Sequence, residues 1–170
     1  MRLKTIYIFL AFQIIANKAL SQKENTLHYK HIVHLEAAGI GGYGSLNFER
    51  IIKLNELFSL SARIGFSTNR IYDYNNKFNP DLLFPIAING FFGKVHKVQL
   101  GLGQLVAFSI KANILNGPPA RETNFHTNFT LGYRYQKQDS RIISGISYTP
   151  ILEYNSSIRH WGAFTIGYLF

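Results

Sequence analysis

Three constellations in this chain hold residue types that can do chemistry. His31 and His34 fit H-x-x-H, a spacing that can bring two imidazoles to one metal ion. The run Gly39-Ile40-Gly41-Gly42-Tyr43-Gly44 fits G-x-G-x-x-G, whose backbone amides cradle a pyrophosphate in dinucleotide-binding folds. The third is a scattered set, Glu36, Asn47, Glu49, Arg63, His126 and Arg134. These gain meaning only if one fold brings them together. Which of the three survives depends on the elements that carry them.

The dominant pattern is a period of two, the signature of half-buried strands. From Phe125 to Gln136 one face carries Phe125, Thr127, Phe129, Leu131, Tyr133 and Tyr135. The other carries His126, Asn128, Thr130, Gly132, Arg134 and Gln136. Phe58, Leu60, Ala62, Ile64 and Phe66 alternate with Ser59, Ser61, Arg63 and Gly65. Val33 and Leu35 oppose His34 and Glu36, while Asn47 and Glu49 share a face. The segment 82–92 is apolar almost throughout, so its facing is ambiguous. Eight strands are expected, over about 30–39, 43–52, 57–67, 82–92, 97–110, 124–136, 141–150 and 161–170. Each is near the ~9–11 residues a tilted strand needs to cross a bilayer.

Strands change the reading of the first two motifs. On a strand, i and i+3 point to opposite faces, so His31 and His34 cannot share an ion, and no metal site is expected. A dinucleotide motif needs a helix behind it and an acid about 20 residues on. The residues after Gly44 alternate instead as two strands around Lys53-Leu54-Asn55-Glu56. The glycines then read as a tight turn that uses positive φ. His126 beside an inward serine could be drawn as a hydrolytic pair, but no nucleophile motif accompanies it. No catalytic residue and no cofactor are expected. The chain has no cysteine, which excludes disulfides, thiolate metal sites and cysteine nucleophiles.

The first 21 residues read as a secretory signal. Arg2 and Lys4 precede an apolar run over 5–16, and Ala19-Leu20-Ser21 supplies small residues for a peptidase. That run is short of the ~20 residues of a spanning helix. The expected organisation is a signal peptide over 1–21 and one domain over 22–170. Helices and closed barrels are the structures that satisfy every backbone group in lipid. No other segment could span as a helix, so the fold expected is all-β: an eight-stranded antiparallel up-and-down transmembrane β-barrel. Short connections (53–56, 93–96, 137–140) alternate with longer ones (68–81, 111–123, 151–160), as periplasmic turns alternate with outside loops. The short glycine turn is the exception among the outside connections.

In such a barrel Glu36, Glu49, Arg63, Arg134, His126 and Asn47 all face the lumen. Eight strands leave an interior just wide enough for side chains, and buried charges there must pair. A polar network that closes the lumen is expected, with Arg134 paired to Glu36 or Glu49. Tyr133, Tyr135, Tyr168 and Phe170 fall at the periplasmic interface; Tyr43, Phe66, Phe84, Tyr148 and Trp161 fall at the outer one.

Several segments carry a family resemblance. They are Ser45-Leu46-Asn47-Phe48-Glu49-Arg50, Leu131-Gly132-Tyr133-Arg134-Tyr135-Gln136, Ser147-Tyr148-Thr149-Pro150, and Trp161-Gly162 through Gly167-Tyr168-Leu169-Phe170. Together they resemble a group of small outer-membrane β-barrel proteins of the Bacteroidota, mostly of unassigned function. The resemblance implies the outer membrane and an eight-stranded barrel, and it carries over no catalytic residues. The final alternating aromatics, Tyr168 and Phe170, are then expected to be the signal read by the insertion machinery. The formal charge is +9, with the basic residues scattered. This favours anionic outer-membrane lipids and lipopolysaccharide over nucleic acid as partners. The expected role is non-enzymatic, structural or surface-binding, in a monomer. The alternatives are a lipid-modifying enzyme, a narrow pore, and a soluble barrel with its apolar face inside.

Overall fold

A computed structural model describes residues 31–111, 120–137, 139–152 and 158–170. The expected signal segment and most of the 111–123 connection lie outside the described residues. Eight long strands form: β1 (His31–Ala38), β2 (Gly44–Lys53), β3 (Phe58–Ser67), β4 (Leu82–Phe92), β5 (His96–Lys111), β6 (Ala120–Gln136), β7 (Ile142–Tyr148) and β9 (Gly162–Leu169), with a two-residue β8 (Ile151–Leu152) between the last two. Every pairing is antiparallel. Neighbours run β5-β4-β3-β2-β1-β9-β7-β6, and β5 pairs β6, so the sheet closes on itself. β8 continues the stave of β7 beyond Thr149-Pro150, pairing with β6 at Thr127 and Asn128. The result is an eight-staved barrel.

Two prolines mark where the ladder yields. Proline has no N–H to give a neighbour. The β3–β4 register runs to Ile64 opposite Ile86 and resumes only at Ser67 opposite Leu83, skipping Pro85. Outside that gap three rings form a row, Phe66 to Phe84 at 5.7 Å and Phe84 to Phe108 at 6.0 Å. Pro150 breaks the seventh stave. Continuity is kept by Thr149 N–H to Trp161 C=O at 2.7 Å and by Ile151 and Arg159 exchanging bonds of 2.9 and 3.1 Å.

The turns follow from their residues. Asn55 Oδ1 accepts the N–H groups of Leu57 (2.9 Å) and Phe58 (2.7 Å), closing the β2–β3 connection with an amide side chain. Between β1 and β2, Gly39 and Gly42 take φ of 84° and 85°, and Ala38 takes 59°. This backbone path turns Ile40 into the mouth of the barrel, where it is fully buried. The sequence predicts the tight turn there but not the inward isoleucine. The β5–β6 hairpin is also longer than predicted, paired as far as Lys111 opposite Ala120.

Facing is now fixed on every stave. Leu35, Ile64, Ile88, Leu100, Leu131, Ile146 and Phe164 point outward and are exposed, Ile88 at 65%. His34, Glu36, Asn47, Glu49, Arg63 and Arg134 point inward and are buried. The ambiguous β4 resolves with Leu83, Pro85, Ala87, Asn89 and Phe91 inward. An apolar exterior of this extent would be an aggregation surface in water. It is the surface expected where the solvent is hydrocarbon. The facing is opposite to that of a soluble container, which puts its apolar side chains inside.

Ile64→Lys, in the middle of an outward row, should destabilise folding into phospholipid vesicles by about 2–4 kcal/mol. The same change at Tyr135, near the rim that carries the short turns, should cost at most about 1 kcal/mol. Denaturant titrations of vesicle-folded protein measure both.

Candidate functional site

The inward face of five staves converges on two carboxylates. Glu49, on β2, is fully buried. Its Oε2 lies 2.9 Å from Arg134 Nη2 of β6 and 3.7 Å from His34 Nε2 of β1. Its Oε1 accepts the hydroxyl of Ser61 on β3. Glu36, on β1, meets Arg63 Nη1 of β3 at 2.6 Å through Oε2 and accepts the Ile40 N–H at 3.1 Å through Oε1. The Arg134 guanidinium also lies over the ring of the buried Phe91, 4.1 Å from its centroid, a cation–π contact in a desolvated setting.

Amides extend this centre. Gln99 Nε2 donates to Asn89 Oδ1 at 3.0 Å, Asn89 Nδ2 to Ser61 Oγ at 3.4 Å, and Ser61 to Glu49. Asn47 Nδ2 bonds Ser45 Oγ at 2.9 Å. The lumen is too narrow for large side chains on every stave, so cross-strand neighbours alternate in size. Asn47 faces Gly65, Asn89 faces Gly101 and His34 faces Gly167. A Cβ on Gly65 would stand 2.2 Å from Asn47 Oδ1, and one on Gly101 would stand 2.2 Å from Asn89 Oδ1. The inward glycines are therefore room for the amides.

Of the residues singled out from sequence, Glu36 and Arg63 form one pair, and Glu49 and Arg134 another. Asn47 lies beside them. His126 faces inward and is half-buried, opposite Leu105. Tyr168 and Phe170 are exposed on the outer surface; Arg141 reaches the Tyr168 hydroxyl at 2.8 Å. The centre includes Asn89, Phe91 and Ile40, which the sequence did not single out. The first two sit on the strand whose facing was ambiguous. Among the described residues no group of three metal-ligating side chains forms.

The ionic layer has apolar side chains at both ends. Toward the outside loops, Ile40 packs with Leu83, Ala87, Leu105 and Ala107. Toward the short turns, Ile32, Ile143 and Leu169 pack together against Ile51.

A second ordered element is the 68–81 connection, a small hairpin standing beyond the barrel. Tyr72 and Phe78 bridge across it, with rings 6.4 Å apart. Asp73 Oδ1 accepts the N–H groups of Lys77 (3.0 Å) and Asn75 (2.8 Å). The Lys77 amide first, and the Asn75 amide with it, holds the Asp73 carboxyl below its ordinary value. Asp81 Oδ1 takes the Ile110 N–H at 2.9 Å, and Arg121 reaches Asn79 Oδ1 at 2.7 Å, tying this hairpin to the long β5–β6 hairpin. Ile71, Tyr72, Tyr74 and Phe78 remain exposed, Phe78 at 75%, and Arg70 lies 4.6 Å over the Tyr74 ring.

A closed antiparallel ring of eight staves, greasy outside and ion-paired inside, is the build of a transmembrane β-barrel of the outer-membrane type. Two solved structures share it. The N-terminal β-barrel domain of Pseudomonas aeruginosa OprF matches with a TM-score of 0.54 at 13% identity, over 82% of this chain and 97% of that one. The Yersinia pestis outer membrane protein Ail, solved in a phospholipid bilayer nanodisc, matches with a TM-score of 0.51 at 9% identity, over 84% of this chain and 100% of that one. At these identities the likeness is one of fold. No family model and no curated protein matches the sequence.

Removing one partner of a buried pair leaves a charge uncompensated. Arg134→Met should cost about 3–5 kcal/mol in vesicle unfolding, and adding Glu49→Gln should restore a large part of it. The Asp73 contribution to loop order carries a sign that follows from its lowered pKa. It is complete above the ordinary aspartate value and lost as pH falls through the folded value. The Lys77 amide resonance in micelle NMR should titrate below the range of a free aspartate, and Asp73→Asn should abolish that step.

Proposed function

We propose that this chain is an integral outer-membrane barrel with a closed lumen and a non-enzymatic role exercised by its outside loops. The segment 1–21 serves as its cleaved export signal. The observation that carries the reading is the layered interior: two Arg–Glu pairs between two apolar clusters, inside a belt of exposed apolar side chains. Charged groups committed to each other support a structural network better than an open path or a reaction centre. The Bacteroidota-like segments support placement with that group of small barrels. The proposed partners are outer-membrane lipids and lipopolysaccharide around the finished monomer. The insertion machinery acts earlier, reading Tyr168 and Phe170.

Outer-membrane fractions should hold the mature chain; recovery from the soluble periplasm would overturn the reading. In planar bilayers the purified barrel should show no steady conductance. Persistent ion current would replace the closed lumen with a narrow pore. Altered lipopolysaccharide or phospholipid after incubation, seen by mass spectrometry, would establish a lipid-modifying enzyme instead.

A further inference from the structure

The lipid-facing wall carries one dent that the barrel itself does not require. A groove of about 450 Å³ runs along the outward faces of β1, β2 and β3 near the outside loops. Leu35, Leu46 and Phe66 form its walls, Ala37 and Gly44 lie on its floor, and Tyr43 and Thr68 stand at its mouth. Ala37 and Gly44 are direct cross-strand partners, so two adjacent staves are small at one level.

Gly44 sets the depth of this groove. The inward glycines are small because a Cβ would strike Asn47, Asn89 or His34. Gly39, Gly42 and Gly93 have positive φ. Gly44, like the outward Gly90 and Gly162, has neither constraint: the nearest atom to a Cβ there is the Glu36 carbonyl oxygen at 3.7 Å, ordinary contact distance. Most outward positions around it on these three staves carry Leu, Ile or Phe. Glycine here keeps the groove open.

The chemistry at the mouth selects the occupant. Thr68, which lines the groove, donates its hydroxyl to the Arg70 carbonyl at 3.1 Å, so the hairpin begins at the groove's mouth. That hairpin offers Arg70 and Lys77, and Arg121 is bonded to it. Its own acids are engaged, Asp73 by the Asn75 and Lys77 amides and Asp81 by the Ile110 amide. Glu122 pairs with Lys111. The collar holds Arg70, Lys77, Lys111 and Arg121 against Asp73, Asp81 and Glu122, a surplus of one positive charge beside an apolar groove continuous with the lipid-facing belt. Exposed Tyr72, Tyr74 and Phe78 stand beside them, with the flat faces that stack on sugar rings.

We propose that the β1–β3 groove and the 68–81 hairpin form one binding site for a lipopolysaccharide molecule of the outer leaflet. One acyl chain lies over Ala37 and Gly44, and the lipid phosphate meets Arg70 and Lys77. The aromatic hairpin takes the proximal sugars. This deepens the proposed function and rests on the barrel standing in an outer membrane.

The test uses the full mature chain in vesicles containing rough lipopolysaccharide, extracted into mild detergent and weighed by native mass spectrometry. The wild-type barrel should carry one lipopolysaccharide. Gly44→Leu should reduce that occupancy at least fivefold, as should the loop variant Arg70→Ala/Lys77→Ala, which leaves the groove untouched. Leu100→Ala, outward on another stave, should retain it. Heat-modifiable gel migration confirms folding of each variant, and the loop variant reads the site even if Gly44→Leu does not fold. Equal lipopolysaccharide occupancy in wild type and both variants would overturn the site. So would equal occupancy by phosphatidylglycerol in vesicles of that lipid. Either result leaves membrane location intact, whereas soluble-periplasm recovery in fractionation would remove the parent reading.

Discussion

The constraint on which everything else rests is that hydrocarbon offers no hydrogen bonds. Every backbone N–H and C=O in the spanning region must find a partner within the chain, and each failure costs several kcal/mol. A sheet meets this demand only by closing. The β1–β9 pairing, seven registered residue pairs that join the first stave to the last, is the seam of that closure. The prolines show how narrowly the rule is kept. Pro85 and Pro150 interrupt the ladders beside them, one behind a row of three phenylalanines and one where loop carbonyls take over the bonding.

Closure with eight staves dictates the interior. There is room for side chains and little else, so the inward set must be complementary in volume and in charge at once. Volume is met by setting glycine opposite His34, Asn47, Asn89, Gln99 and Arg134, and charge by two Arg–Glu pairs. Register alone would not assign those pairs. Arg63 is the direct cross-strand neighbour of Glu49, yet it bonds Glu36. Glu49 is held instead by Arg134 and Ser61, with His34 nearby.

The alternation of side chains made most of this architecture legible in the sequence. A period of two, repeated with turn residues between, carries both strand number and facing. It placed Glu36, Glu49, Arg63 and Arg134 on the inside. Four things were not legible. The facing of β4 was hidden because Pro85, Ala87 and Phe91 are as apolar as the residues facing lipid. Ile40 was hidden because its burial comes from positive φ at its neighbours and not from any pattern of its own. The true extent of the β5–β6 hairpin was hidden because residues beyond the membrane lose the apolar alternation that marks a stave. Pair partners across the lumen depend on tilt, which no local pattern encodes.

The Glu49–Arg134 pair joins the second stave to the sixth, and the chain between them holds three of the staves that must form first. Until β6 joins the staves before it, Glu49 lacks the Arg134 guanidinium and Arg134 lacks its carboxylate, and an unpaired buried charge is costly. A half-built barrel in the bilayer is therefore penalised by its own interior, while the finished one is not. The pair therefore favours the completed ring over any partial one, because only the closed barrel brings the second and sixth staves across the lumen from each other.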